Sequence, residues 1–134
     1  MGRKKIAHST NATVMVDDSR VTIATEGDQG FSELHSSLVK LGKTPGVKGY
    51  ILRNSTSAVI DLKNPAKLVE YALLASEVTD ACHESSILFD LNITRAVVTG
   101  RKLKMLCMII GENKLGIFME KTVDHTDISN RILP

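Results

Sequence analysis

Cysteine, charge of one sign and long apolar runs are all scarce in this chain, and each scarcity removes a class of function. Two cysteines, Cys82 and Cys107, are too few for a disulfide-stapled secreted scaffold. Both have apolar neighbours, one late in an expected helix and one inside an expected strand, so they read as buried structural thiols in a reducing compartment. The 17 basic and 15 acidic residues are interspersed and leave a net charge of only +2. That balance gives no broad footprint for phosphate backbones or anionic membranes. The clusters Arg3-Lys4-Lys5 and Arg101, Lys102, Lys104 read as solvated surface, the first with no aromatic beside it. The longest apolar run, Met105 to Ile110, is far too short to span a bilayer, and no leader with a charged start and apolar centre is visible. Met1-Gly2 does not open a myristoylation motif, because Ile6 stands where Ser or Thr is required. The expectation is a cytoplasmic protein that binds neither nucleic acid nor membrane.

Catalytic signatures are missing as well. Leu41-Gly42-Lys43-Thr44 ends like a phosphate-binding loop, but the required earlier glycine falls at Ser37 and a helix precedes it where a strand should. His8, His35, His83 and His125 are scattered, with no pair at i, i+4 and no carboxylate at zinc-protease spacing. Cys82 and His83 diverge by about 100° on a helix and do not share a metal. No nucleophile elbow places a Ser, His and Asp together. Asp124-His125-Thr126-Asp127 reads as helix capping, and Asp61, Glu70, Glu77 and Glu84 as solvated carboxylates. The chain is expected to be no enzyme and to carry no catalytic residue, metal or cofactor.

What is present is architecture. A chain of 134 residues with 43% hydrophobic content has room for one domain and one core. Residues 1 to about 10 show no periodicity, and Ala12 to Val16 and Val21 to Thr25 flank a polar turn as a small hairpin. Such a hairpin is marginal alone and should dock on the domain or on a partner. Phe31, Leu34, Leu38 and Leu41 form the stripe of a short helix, stopped by Gly42 and Pro45. Val47 to Leu52 follows as a half-buried strand, with Ala58 to Leu62 as its hairpin partner. Asn64-Pro65 is a strong helix start, and the helix should run to about Glu84. Its core-facing arc is expected to be Leu68, Tyr71, Ala72, Leu74, Ala75, Val78, Ala81 and Cys82. Val69 and Leu73 fall outside that arc, near Ala66 and Ser76, as a second apolar stripe that should meet another helix. Ile93 to Thr99, Leu103 to Ile110 and Leu115 to Glu120 should form an antiparallel meander whose middle strand is covered on both faces. A short terminal helix is expected after a cap at Thr122 or Asp124.

The fold class expected is therefore α+β: a five-stranded antiparallel sheet with a long helix on one face and a short N-terminal helix. A hairpin extension precedes it and a short C-terminal helix follows. The order helix, strand, strand, helix, strand, strand, strand resembles that of the roadblock family of dynein light chains and small-GTPase regulators. The resemblance is carried by Pro45-Gly46-Val47-Lys48-Gly49-Tyr50-Ile51-Leu52, by Lys63-Asn64-Pro65, and by the block from Leu91 through Arg95 to Met108. It covers about Phe31 to Lys121, leaving 1–30 as a tail and hairpin and 122–134 as a helical tail; the extra hairpin departs from the family's short form.

The resemblance implies a non-enzymatic dimer, either a homodimer or a pair with a paralogous roadblock chain. Its long helices would pack together, and its third strands would pair across the axis. Carried onto this chain, the interface would comprise Val69, Leu73 and Ser76 on the helix and Ile93, Arg95, Val97 and Thr99 on the strand. The partner implied first is a segment of a dynein intermediate chain, making the dimer a cytoskeleton-associated, microtubule-motor adaptor. The alternative is a scaffold that regulates a Ras-like small GTPase, with Arg53 and Arg95 as the arginines to examine. A third reading, a small-molecule sensor on the related profilin-like architecture, would need a pocket.

Overall fold

The computed structural model describes the backbone of residues 12–16, 21–25 and 29–133 and the side chains of 30–133; the basic run Arg3-Lys4-Lys5 and His8 lie outside them. Among these residues the strands are β1 (Ala12–Val16), β2 (Val21–Thr25), β3 (Val47–Arg53), β4 (Ala58–Leu62), β5 (Arg95–Thr99), β6 (Leu103–Ile110) and β7 (Asn113–Glu120). The helices are α1 (Gln29–Leu41), α2 (Leu68–Leu88) and α3 (His125–Ile132), with a 3-10 turn at Pro65–Lys67 leading into α2. All strands join one antiparallel sheet in the order β1-β2-β4-β3-β7-β6-β5. The five-stranded sheet read from the sequence is thus extended to seven by the N-terminal hairpin, which docks through β2 on β4.

Local chemistry explains the turns. Thr44-Pro45-Gly46-Val47 closes with a 3.1 Å hydrogen bond from the Val47 N–H to the Thr44 carbonyl, and Gly46 takes a φ of +89°. Proline followed by a left-handed glycine is the composition a type II turn requires. Asn54 builds the β3–β4 turn, its Oδ1 accepting from the N–H groups of Thr56 at 2.9 Å and Ser57 at 2.8 Å. Asn64 caps the start of the long helical segment by accepting from the Ala66 N–H at 3.1 Å. Asp124, rather than Thr122, caps α3 and accepts from the N–H groups of Thr126 and Asp127.

The sheet divides the core into two layers. On one face α1 and α3 bury Phe31, Leu38, Leu41, Ile128 and Ile132 against Tyr50, Leu52, Leu106, Met108 and Ile117. On the other face α2 covers Ile51, Leu62, Met105, Cys107 and Phe118. Strand β3 is therefore buried on both faces, not half-buried, because β4 and β7 flank it and helices lie above and below. The alternation expected for β6 holds, with Met105 and Cys107 beneath α2 and Leu106 and Met108 beneath α3. The C-terminal segment is part of the core, not an appended tail.

Helix α2 sits close to the sheet. Tyr71 stacks on Phe118 with ring centroids 4.3 Å apart, and a Cβ at Gly116 would lie 3.2 Å from the Ala75 methyl. Close approach narrows the covered arc to Ala75 and Thr79, which are buried, and Leu68, Tyr71, Ala72, Val78 and Cys82, which are half-buried. Leu74 and Ala81, expected in the arc, are exposed, and Cys82 is half-buried. The helix continues four residues past Glu84 to Leu88. Asp61, expected to be solvated, is buried on β4 opposite Tyr50 of β3.

Candidate interaction surface

Five large apolar residues of α2 are exposed: Val69 and Leu73 at 67% and 60%, Ile87 and Leu88 at 69% and 75%, and Leu74 on another flank at 39%. Phe89 and Leu91 continue the apolar surface beyond the helix end. At about 100° per residue, Val69, Leu73, Ser76 and Ile87 lie within a single stripe on the side of α2 turned from the sheet. Helices α1 and α3 lie across the sheet, so neither covers this stripe. Asp80 and His83 interrupt the stripe between Ser76 and Ile87, leaving one apolar patch at Val69 and Leu73 and another at Ile87, Leu88, Phe89 and Leu91, and exposed apolar patches of this kind mark an interaction surface.

Beside α2 the sheet ends in β5, which pairs only with β6. Hydrogen bonds from the Ile109 N–H to the Thr94 carbonyl (2.9 Å) and from the Gly100 N–H to the Leu103 carbonyl (2.8 Å) bracket this ladder. Antiparallel alternation then assigns the even-numbered backbone groups to β6 and turns those of Arg95, Val97 and Thr99 to the open edge. Their side chains stand on the α3 face, whereas Ala96 and Val98 pack beneath α2. The expected interface residues thus fall on two separate features: Val69, Leu73 and Ser76 on the α2 flank they share with Asp80, which bonds Arg53 of β3 and Lys114 of β7, and the outward backbone of Arg95, Val97 and Thr99 on the edge. Ile93 belongs to neither. It precedes the strand, is half-buried, and its N–H donates to Ser86 Oγ at 3.0 Å, tying the chain back to α2.

The two arginines are engaged within the molecule. One Arg53 Nη donates to Thr79 Oγ1 at 2.9 Å and to Asp80 Oδ1 at 3.0 Å, while Lys114 Nζ approaches the same carboxylate oxygen at 3.3 Å. The Arg53 hydrogen bond, reinforced by Lys114 and opposed by slight burial, holds the Asp80 carboxyl below its ordinary range. This network fastens α2 to β3 and β7. Arg95 donates to the Leu133 carbonyl at 3.1 Å and so holds the end of α3. Neither link was legible in the sequence, because each joins residues far apart in the chain.

An apolar groove of about 390 Å³ runs between α2 and the β5–β6 turn, lined by Tyr71, Leu74, Val98, Leu103, Met105 and Phe118 among others. Among the described residues, no group of three or more His, Cys, Asp and Glu side chains could hold a metal ion. No helix among them is long and apolar enough to cross a membrane. The surface is thus built for contact: an apolar helix stripe, an open strand edge and a groove beside them.

No protein-family model matches the chain, and no curated protein matches its sequence. Solved structures do match its fold. A roadblock/LC7 domain from Streptomyces avermitilis aligns over 76% of this chain and 87% of its own, with a TM-score of 0.57 and 13% identity. Myxococcus xanthus MglB aligns over 80% of this chain and 84% of its own, with a TM-score of 0.58 and 16% identity. At such identities the likeness lies in the path of the backbone and the order of elements. The chain therefore has the roadblock fold.

Proposed function

We propose that this protein is a non-enzymatic scaffold of the roadblock type that works as a dimer. One observation carries the reading: α2 leaves the large apolar side chains of Val69, Leu73, Ile87 and Leu88 uncovered. Two copies meeting through α2 cover them, and the open edge of β5 offers a second place to pair. Burying some hundreds of Å² of apolar surface contributes several kcal/mol at about 25 cal/mol per Å², before association costs. The edge gains in addition, because pairing satisfies backbone groups that otherwise invite unspecific strand addition. A paralogous roadblock chain can take the place of the second copy.

In the adaptor reading the dimer grips an amphipathic segment of a dynein intermediate chain and joins it to a microtubule motor. The apolar groove beside α2 supports that helix-in-groove mode. A second reading, regulation of a Ras-like small GTPase, is favoured by the likeness to MglB. In this reading Arg53 and Arg95 serve as structural links and not as an arginine finger, since both are committed to intramolecular contacts.

Light scattering on the wild type and on Leu73→Glu tests the scaffold. The expected result is a dimer that becomes a folded monomer on substitution; a wild-type monomer that also fails to pair with a roadblock paralogue would refute it. Immobilised protein then separates the partners. An intermediate-chain peptide held without nucleotide identifies the adaptor, and a GTPase held in only one nucleotide state identifies the regulator.

A further inference from the structure

Across the sheet from α2, a cavity of about 260 Å³ lies between α3 and the strands β5 and β6. Val97 and Leu106 give it an apolar floor, and Arg95, His125, Thr126 and Ser129 supply its polar groups. It shares no residue with the groove beside Leu74, which opens on the α2 face. Joining two copies across β5 lengthens the sheet edge to edge, so the roof of the cavity remains α3 of the same chain. Lys104 reaches this site from β6, its Nζ lying 3.1 Å from His125 Nδ1. An ammonium only donates, so Nδ1 is the acceptor and Nε2 carries the ring hydrogen.

The polar groups here are one-sided. Lys104 and Arg95 form no salt bridge among the described residues, although one Arg95 Nη donates to the Leu133 carbonyl. No carboxylate lines the cavity. The run Asp124-His125-Thr126-Asp127 has its acids occupied elsewhere: Asp124 accepts from the N–H groups of Thr126 and Asp127, and Asp127 pairs with Arg131 at 2.8 Å. His125 and Thr126 are left to the cavity. Ser129 is the decisive group. It is 2% exposed, and its Oγ has no hydrogen-bond partner among the described residues. A buried hydroxyl is costly to leave unpaired, and native folds nearly always satisfy one. An unspent hydroxyl beside two unmatched cations calls for an acceptor from outside the chain.

We infer that this cavity binds the phosphoryl group of free phosphate or of a small phosphomonoester, with Lys104, Arg95 and His125 meeting its oxygens and Ser129 and Thr126 donating their hydroxyls. A phosphomonoester near pH 7 carries about −1.5 to −2 charges and three strong acceptor oxygens, which suits two cations and a set of donors better than a singly charged carboxylate does. Ligand pockets commonly run from about 300 to 1,000 Å³, so a cavity of about 260 Å³ suits a small molecule and not a nucleotide. Every group named belongs to one chain. The inference therefore goes beyond the scaffold reading and does not depend on it.

Thermal unfolding of the full-length protein in chloride buffer, titrated with inorganic phosphate or with glycerol phosphate at constant ionic strength, tests it. Phosphate stabilises any fold to some degree by exclusion from its surface, so the reading is the gain of the wild type over Ser129→Ala at each concentration. That gain should saturate, as binding to a single site on the folded state requires. Ser129→Ala should match or exceed the wild type without phosphate, because it removes a hydroxyl that the fold leaves unpaired. Lys104→Gln should weaken the response about tenfold, as loss of a charged donor does. A tighter response to glycerol phosphate assigns a monoester as the ligand, and the reverse assigns the free ion. Equal gains in the wild type and both variants, an acetate response as strong as the phosphate one, or no gain at all would overturn the inference. So would a Ser129→Ala protein less stable than the wild type before phosphate is added, since the hydroxyl would then serve the fold itself. Light scattering on the same samples reports the mass, which separates failure of the cavity from failure of the dimer.

Discussion

Gly49 shows how much one missing side chain can decide. It occupies the irregularity where β3 shifts register against β7, with a φ of +152°. A Cβ there would collide with the Asp61 carbonyl and lie 2.7 Å from Leu62 Cδ2. Backbone strain and overpacking act together, so Gly49→Ala should cost about 2 kcal/mol or more, read as a lower urea midpoint. Asp80 provides a pH test. Its folded-state pKa lies below the ordinary 3.8, so its contribution is complete above that value and is lost as pH falls through the folded-state value. The difference in urea midpoint between wild type and Asp80→Asn should therefore be present at neutral pH and shrink as pH drops beneath 3.8. It should be small, under about 1 kcal/mol, because the carboxylate is half exposed and water screens the pair. Cys107 offers a chemical readout. Burial, with the nearby Cys82 adding to it, pushes its thiol up to about 12, so near pH 8 an Ellman-type reagent should reach Cys82 in the native protein and Cys107 only after unfolding.

At the scale of elements, what was legible depended on whether the signal was local. The strands β3, β4 and β6 and the stop of α1 follow from alternation, from helical spacing and from Pro45-Gly46. The end of α2 did not follow, since Ile87 and Leu88 face outward and give no core-facing signal beyond Glu84. A helical wheel puts Leu74 and Ala81 in the core because it assumes a broad contact arc. The Tyr71–Phe118 stack and the close approach at Gly116 leave a narrower one, in which polar Thr79 is buried by donating to the Ala75 carbonyl at 2.8 Å. Asp61 breaks the rule that strand carboxylates face water, and alternation cannot register such an exception. Helix α3 is legible through the spacing of Val123, Ile128, Ile132 and Leu133 and through its cap, and the cap should carry part of its stability. Asp124→Ala removes the acceptor for two N–H groups, which should cost about 1 kcal/mol. Hydrogen exchange should quicken within α3 and spare α2. Quickening spread evenly through the sheet would mean that α3 is held by Ile128 and Ile132 alone.

For the whole molecule, the open question is how the helix stripe and the strand edge share the work of association, and the ladder provides a way to separate them. In β5 the odd-numbered N–H groups face outward and the even-numbered ones bond β6. Proline has no N–H, and its fixed φ is tolerated on edge strands whose N–H faces solvent. Val97→Pro should therefore leave the β5–β6 pairing and the thermal midpoint nearly unchanged. Val98→Pro, one residue on, should remove a ladder bond, drive a ring toward the α2 face and destabilise the fold. If two copies join their sheets across β5, Val97→Pro deletes a hydrogen bond across the axis and wedges the two edges apart. Dimer dissociation should then rise by about tenfold or more, equivalent to about 1.4 kcal/mol, without loss of the monomer. Combining Val97→Pro with Leu73→Glu completes the argument. Penalties that add mean that helix and edge contribute independently, whereas a double variant no worse than Leu73→Glu means that the edges meet only after the helices have packed. Sedimentation equilibrium on the four proteins reads out both terms, and a dimer indifferent to Val97→Pro would confine the interface to α2.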